Sequence, residues 1–230
     1  PVVTHSELAT STTAVLIDSH GERSFAHHAG APAAIDTTFL KQSASHYQRS
    51  RALVLGYVGL LPQLEPFLAD GLMDVRSNTQ LVAVETAGNG GDLTHLVPAF
   101  PYIDVFVPSL EEATCQTGLR DPREILGCYR SRGAQGLIGV KLGIQGTVLS
   151  PTDNEILAIP CVTPTKPLAD TTGAGDCFLA GLLTGLIRGM SPRHAGLLGA
   201  ATAACCVTGF GATAGLCSLD ETLSMLEKHQ

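Results

Sequence analysis

The apolar positions of the chain fall into two patterns. Short contiguous runs rich in Val, Ile and Leu, at Ala52-Leu53-Val54-Leu55, Leu81-Val82-Ala83-Val84, Ile103 to Val107 and Leu137 to Lys141, predict buried strands. Between them lie segments with helix punctuation. Asp121-Pro122-Arg123-Glu124 is a complete start signal, with a cap, a proline at the first helical position and an acid at the third. A helix is also expected from Pro62 towards Asp74, Asp92 caps a short one, and Ser109 opens another. Gly143-Ile144-Gln145-Gly146 and Asp153-Asn154 read as turns between β-segments.

The two ends differ from this alternation. Near the start, Thr12 to Ile17 and Arg23 to His28 flank the turn residues Ser19-His20-Gly21-Glu22, a hairpin closed by Gly30. One imidazole of His27-His28 is expected to face the sheet or core and the other solvent, with a substrate contact open to either. Residues 36–50 are polar and helix-compatible. The last third predicts three helices. The first runs from about Gly175 to Arg188, with Phe178, Leu182 and Leu186 on one face and Gly189 past its end. Ser191-Pro192 starts the second, which ends near Gly209, and Ser218-Leu219-Asp220-Glu221 caps the third. Strands alternating with helices give an α/β domain with a mostly parallel sheet covered on both faces. The expected organisation is one domain over residues 1–230, with a hairpin at about residues 10–30.

Composition narrows the function. Lys and Arg number 14 against 21 Asp and Glu, a net charge of −7, and no basic run occurs, which argues against nucleic acid. With 44% hydrophobic and 15% charged residues and a mean hydropathy of +0.22, the chain is not disordered. The nearly uncharged stretch from Ala195 to Gly215 is too poor in apolar bulk to span a membrane. Seven cysteines, an odd count without a C-x-x-C pair, and the lack of a signal peptide fit reduced thiols in the cytoplasm.

The densest chemistry lies at Asp170-Thr171-Thr172-Gly173-Ala174-Gly175-Asp176, running straight into an amphipathic helix. Small residues let backbone approach a ligand, and the helix start aims unpaired N–H groups at it, which makes an anion site. Asp176 inside such a site would repel a phosphate unless it handles a proton. The plainer alternative is a glycine-rich turn with Asp176 as a first-turn helix charge.

Residues 170–183, D-T-T-G-A-G-D-C-F-L-A-G-L-L, resemble the C-terminal signature of ribokinase-like carbohydrate kinases, the phosphofructokinase-B group. The order of segments from about residue 10 onward is similar as well, beginning with Gly21-Glu22-Arg23-Ser24-Phe25 where the family has a lid strand. The resemblance implies a three-layer α/β/α fold with a small β-hairpin lid and ATP-dependent phosphorylation of a hydroxyl on a sugar or sugar-like molecule. It implies Asp176 as the base, and Gly173, Ala174, Gly175 and the Asp176 amide as the anion hole.

Pro108 to Ala113 matches the family's P-N-x-x-E segment, with Ser109 where Asn is usual. Glu112 is its acid, implied to act through water on Mg²⁺. Ser109 and Glu112 are equally spaced as a helix capping box. Lys141 to Gly146 matches the T-L-G-x-x-G nucleotide segment, with Lys141, Gly143 and Gly146 as nucleotide contacts and Lys141 able to reach a phosphate; a two-glycine turn explains the same residues.

Asp170, Thr172 and carbonyls of the loop from Cys206 to Gly215 match the family's monovalent-cation site, which implies K⁺. That loop could equally be a simple connection. Glu85, after a central strand, falls where carboxylates often border a ligand crevice. Cys177, beside Asp176, is expected to be sensitive to alkylation. The family's N-terminal G-G-x-x-x-N signature is absent, and the start at Pro1 points to a chain lacking an N-terminal segment. Substrate identity departs with that segment, and a non-catalytic nucleotide-binding or regulatory relative is the alternative reading. Homodimers built through the lid occur in the family.

Overall fold

A computed structural model describes residues 3–18, 23–77 and 81–227. The element order is β1 (Thr12–Ile17), β2 (Arg23–His28), α1 (Thr37–Gln42), α2 (Ala44–Tyr47), β3 (Leu53–Val58), α3 (Leu68–Arg76), β4 (Val82–Thr86), α4 (Leu93–Ala99) and β5 (Val105–Phe106). It continues with α5 (Leu110–Thr117), α6 (Pro122–Ser131), β6 (Leu137–Lys141), β7 (Thr147–Thr152), β8 (Glu155–Ile159), α7 (Ala174–Ile187), α8 (Pro192–Cys206) and α9 (Leu219–Glu227).

Strands β3 to β8 form one sheet in chain order. Pairs β3–β4, β4–β5 and β5–β6 are parallel, and β6–β7 and β7–β8 are antiparallel. Alternate residues supply two cores, as the pleat requires. Val82, Val84, Phe106 and Ile138 face a cluster with Leu68, Leu72, Leu96, Ile125 and Tyr129 from α3, α4 and α6. Ala83, Val105 and Leu137 face the other way, towards Phe178, Leu182 and Ala201 of α7 and α8. The sheet therefore lies between two helical layers. Phe100, Phe106 and Tyr129 meet edge to face with centroids 5.4–5.8 Å apart, which fixes α6 against β5.

Two expectations need correction here. The helix expected from Pro62 begins only at Leu68, after a 3₁₀ turn at Glu65–Phe67. The Glu65 carboxylate draws the chain into that turn by accepting Gly59 N and Leu61 N at 2.9 and 2.8 Å. The imidazoles of His27 and His28 are both exposed, as are the other described side chains of the β1–β2 ribbon. His27 Nδ1 instead meets Thr13 Oγ1 at 2.8 Å. The turn residues Ser19 to Glu22 lie outside the described residues.

Candidate active site

The parallel strands end on one edge of the sheet, where a crevice opens towards the N-terminus of α7. Gly173 caps that helix with φ 78°, and no side chain caps its first turn. A side chain at Gly173 would bring a Cβ within 2.6 Å of Ala212 Cβ, so only glycine allows this turn and the loop to touch. The amides of Gly175 and Asp176 thus belong to an uncapped first turn, with the dipole pointing outward. Asp176 is exposed on it.

The strand ends bring Glu85 and Tyr57 to Asp176 and set Lys141 beside Glu85. Lys141 Nζ, at the end of β6, donates to Glu85 Oε1 of β4 at 3.0 Å, with the two side chains 14% and 11% exposed. The same Nζ lies 3.1 Å from where a Cβ on Gly175 would be, directly over the helix start. Burial, reinforced by the Asp176 carboxylate and opposed by Lys141, pushes the Glu85 carboxyl above its ordinary range. Tyr57 of β3 interacts with Asp176, and its phenol is raised by burial and by the negative charges of Asp176 and Glu85.

Glu112 is drawn into a complete capping box. Its Oε2 accepts Ser109 N at 2.7 Å and Thr86 Oγ1 at 3.1 Å, while Ser109 Oγ accepts Glu112 N at 3.2 Å. No three His, Cys, Asp or Glu side chains gather as a metal cage among the described residues. The carboxylate is thereby committed to the start of α5, the capping box that the spacing of Ser109 and Glu112 allows.

Gly143 and Gly146 line a cavity of about 410 Å³ beside Lys141 and Gly175. Val162, Phe178 and Ala203 give it apolar walls, and Ile144 and Leu168 stand exposed at 92% and 66%. Gly146 allows the turn to close, since a Cβ there would sit 2.1 Å from Ile159 O. The cavity opens on the uncapped helix start, the arrangement needed for a flat ring with an attached polyanion.

Asp170, Thr172 and the loop after α8 also come together. Asp170 Oδ1 accepts Thr172 N and Oδ2 accepts Gly211 N, both at 2.9 Å. Cys206 Sγ lies 3.4 Å from Thr172 O and 3.2 Å from Ala212 O, its single proton serving one of them at a time, and Cys177 Sγ lies 3.5 Å from Ala212 O. These contacts fasten the loop after α8 to the turn at Thr172. Cys177 is buried, and burial with its Cys206 hydrogen bond pushes its thiol up to about 12. The expected alkylation sensitivity does not fit that environment.

The sequence profile described as "pfkB family carbohydrate kinase" matches residues 2–218. The chain belongs to the pfkB family. It is 38% identical over 91 residues to a nucleoside kinase of Methanocaldococcus jannaschii, a stretch covering 40% of this chain and 30% of that protein. It is 31% identical over 123 residues to the 2-dehydro-3-deoxygluconokinase of Bacillus subtilis, covering 54% and 37%. The matched stretches thus span about a third of the length of these pfkB relatives. Among solved structures, Arabidopsis thaliana ribokinase complexed with ribose and ATP aligns with a TM-score of 0.82 at 20% identity, over 96% of this chain and 70% of that one. The Burkholderia thailandensis nucleoside kinase in complex with inosine gives 0.77 at 18%, over 97% and 69%. At these identities the likeness is one of fold. It agrees with the three-layer architecture and the mostly parallel sheet.

Lys141, Gly143, Gly146, Ala174 and Gly175 line one cavity, Gly173 and Asp176 flank the last two in the same turn, and Glu112 is reached through Thr86, the residue after Glu85. Tyr57 was not legible as a site residue in the sequence. Its one signal is the Gly56-Tyr57 pair interrupting the apolar run from Leu53 to Val58.

Proposed function

We propose that this chain transfers the γ-phosphoryl group of ATP to a hydroxyl of a sugar or sugar-like molecule. The observation that carries the reading is an exposed carboxylate, Asp176, on the uncapped first turn of α7, beside Glu85 and Tyr57, with the nearly buried Lys141 ammonium over Gly175 of the same turn and an apolar cavity along Ala174 and Gly175. The cavity takes the base and ribose of the nucleotide beside Gly143 and Gly146. The amides of the Gly173–Asp176 turn receive the charge that gathers on the phosphoryl oxygens. Asp176 accepts the proton of the acceptor hydroxyl as its oxygen attacks phosphorus in line, and ADP leaves. Lys141 binds the phosphates as a point charge.

Glu112 would hold Mg²⁺ through water, and that ion supplies neutralising charge to the phosphates when bound. Asp170 and Thr172 are the positions for K⁺. The thiol bonds to Thr172 O and Ala212 O support a loop fastened before any cation arrives. The setting is read as cytoplasmic, with reduced thiols. No helix among the described residues is long and apolar enough to cross a membrane. Exposed Val15, Leu16, Ile17 and Phe25 on the β1–β2 ribbon support pairing of two copies through it.

A second reading, a nucleotide-binding or regulatory relative without turnover, uses the same cavity and helix start without an acceptor. Calorimetry with MgATP, run alongside ADP release with sugars and nucleosides, separates the two. Turnover with one acceptor supports the kinase, binding without turnover supports the second reading, and neither signal contradicts both.

A further inference from the structure

The end of β3 is irregular. Its register against β4 shifts between Leu55 and Val58, which leaves Gly56 and Tyr57 bulged out of the ladder. Tyr57 has φ 63°, and it alone among the described non-glycine residues has a positive φ. A bulky side chain in the left-handed region is an outlier that persists only where its surroundings hold it.

They do so here from both sides. Tyr57 O accepts Leu60 N at 3.0 Å, and Val58 O accepts Ala87 N at 2.9 Å across to the end of β4. Glu65 Oε1 clamps Gly59 N and Leu61 N at 2.9 and 2.8 Å, and Val58 is only 1% exposed. The result is a tyrosine 54% exposed between two buried neighbours, Leu55 and Val58, rather than packed with them. Bulges beside sites commonly re-aim a side chain in this way. This one turns a phenol towards Asp176, in the field of Glu85.

We infer that Tyr57 is an acceptor-site residue whose ring packs on the C–H face of an uncharged sugar ring while its hydroxyl donates to the Asp176 carboxylate. The inference rests on the phosphotransfer reading above. An aromatic ring offers the apolar face of a sugar a rigid platform, and its hydroxyl keeps the neighbouring carboxylate aimed at the hydroxyl to be phosphorylated. The acceptor is uncharged because Asp176 and Glu85 flank the platform, and an anionic group laid on Tyr57 meets two carboxylates.

The chain has no tryptophan, so Tyr57→Trp places a single reporter at the platform. Ribose, fructose, adenosine and inosine are titrated against its emission, with fructose 6-phosphate as the anionic probe; this readout needs no turnover. A saturable change with an uncharged probe, and none with the phosphate ester, is expected. In steady-state assays Tyr57→Ala raises the acceptor KM at least tenfold and leaves the KM for MgATP within twofold, whereas Tyr57→Phe chiefly lowers kcat. A general loss of fold would move both KM values. If Tyr57→Ala does not fold, Tyr57→Asn, which tolerates the left-handed region, serves in its place.

Emission that no uncharged probe moves, a stronger response to the phosphate ester, or an unchanged acceptor KM in Tyr57→Ala overturns the inference. Asp176→Asn distinguishes the levels. Turnover abolished there but indifferent to Tyr57 removes only the platform, and turnover retained in Asp176→Asn removes the phosphotransfer reading along with it.

Discussion

Lys141 and Glu85, 56 residues apart in sequence, form a nearly buried ion pair of 3.0 Å at the ends of β6 and β4. The same ammonium lies over Gly175, in the first turn of α7. One cation thus has a carboxylate partner in the structure described and a phosphate partner in the proposed reaction.

Removing that cation strands its partner. Lys141→Met is expected to destabilise the fold by about 2 kcal/mol at neutral pH, since a nearly buried carboxylate loses its counter-charge. Lys141→Met combined with Glu85→Gln should recover most of that loss, a coupling that a double-mutant cycle measures in urea. Additive effects would show that the pair contributes nothing as a unit.

Glu85 also makes stability depend on pH. Its folded carboxyl titrates above the ordinary value, so the fold favours the protonated form. That contribution is fully present below the unfolded carboxylate pKa and is lost as pH rises through the raised folded value. The Tm of Glu85→Gln relative to the natural chain should therefore climb as pH is taken from 4 to 8. A difference that stays flat contradicts the burial of Glu85.

Cys177 should be slow to react. With its thiol pushed up to about 12 and buried, iodoacetamide at pH 8 is expected to label exposed Cys115, Cys161 and Cys217 first and leave Cys177 largely unmodified. Peptide mapping over a time course checks this. Labelling of Cys177 at the rate of the exposed thiols would mean that the Gly173 turn and the loop at Ala212 come apart.

Gly173→Ala tests the turn itself. A Cβ at φ 78° costs about 1–2 kcal/mol in backbone strain, and the contact at 2.6 Å with Ala212 adds to it. Lower thermal stability together with at least a tenfold loss of phosphotransfer is the expected outcome. Unchanged activity would remove this turn from the anion site.

What the sequence revealed follows from how local each feature is. The start of α7 was legible because the signature is contiguous, and the capping box because Ser109 and Glu112 are three residues apart. A mostly parallel sheet was suggested by alternation, but the pairing of Lys141 with Glu85 depends on β4 and β6 ending on the same sheet edge, with β5 between them. Lys141 could be read as a phosphate contact, but its resting partner could not. Tyr57 was hidden for a different reason. Its role rests on a bulge and a positive φ, and an apolar run interrupted by glycine does not encode either one. The stray imidazoles fail similarly: strand alternation predicts one side inward only where a second layer exists, and the β1–β2 ribbon has none among the described residues.

The central claim is that Asp176 takes the proton of the acceptor. The most direct measurement is ADP release from MgATP with the best acceptor of a sugar and nucleoside panel, comparing the chain with Asp176→Asn. The account predicts a fall of at least a hundredfold in kcat, with MgATP still bound by calorimetry. Asp176→Asn turning over at the natural rate would contradict it.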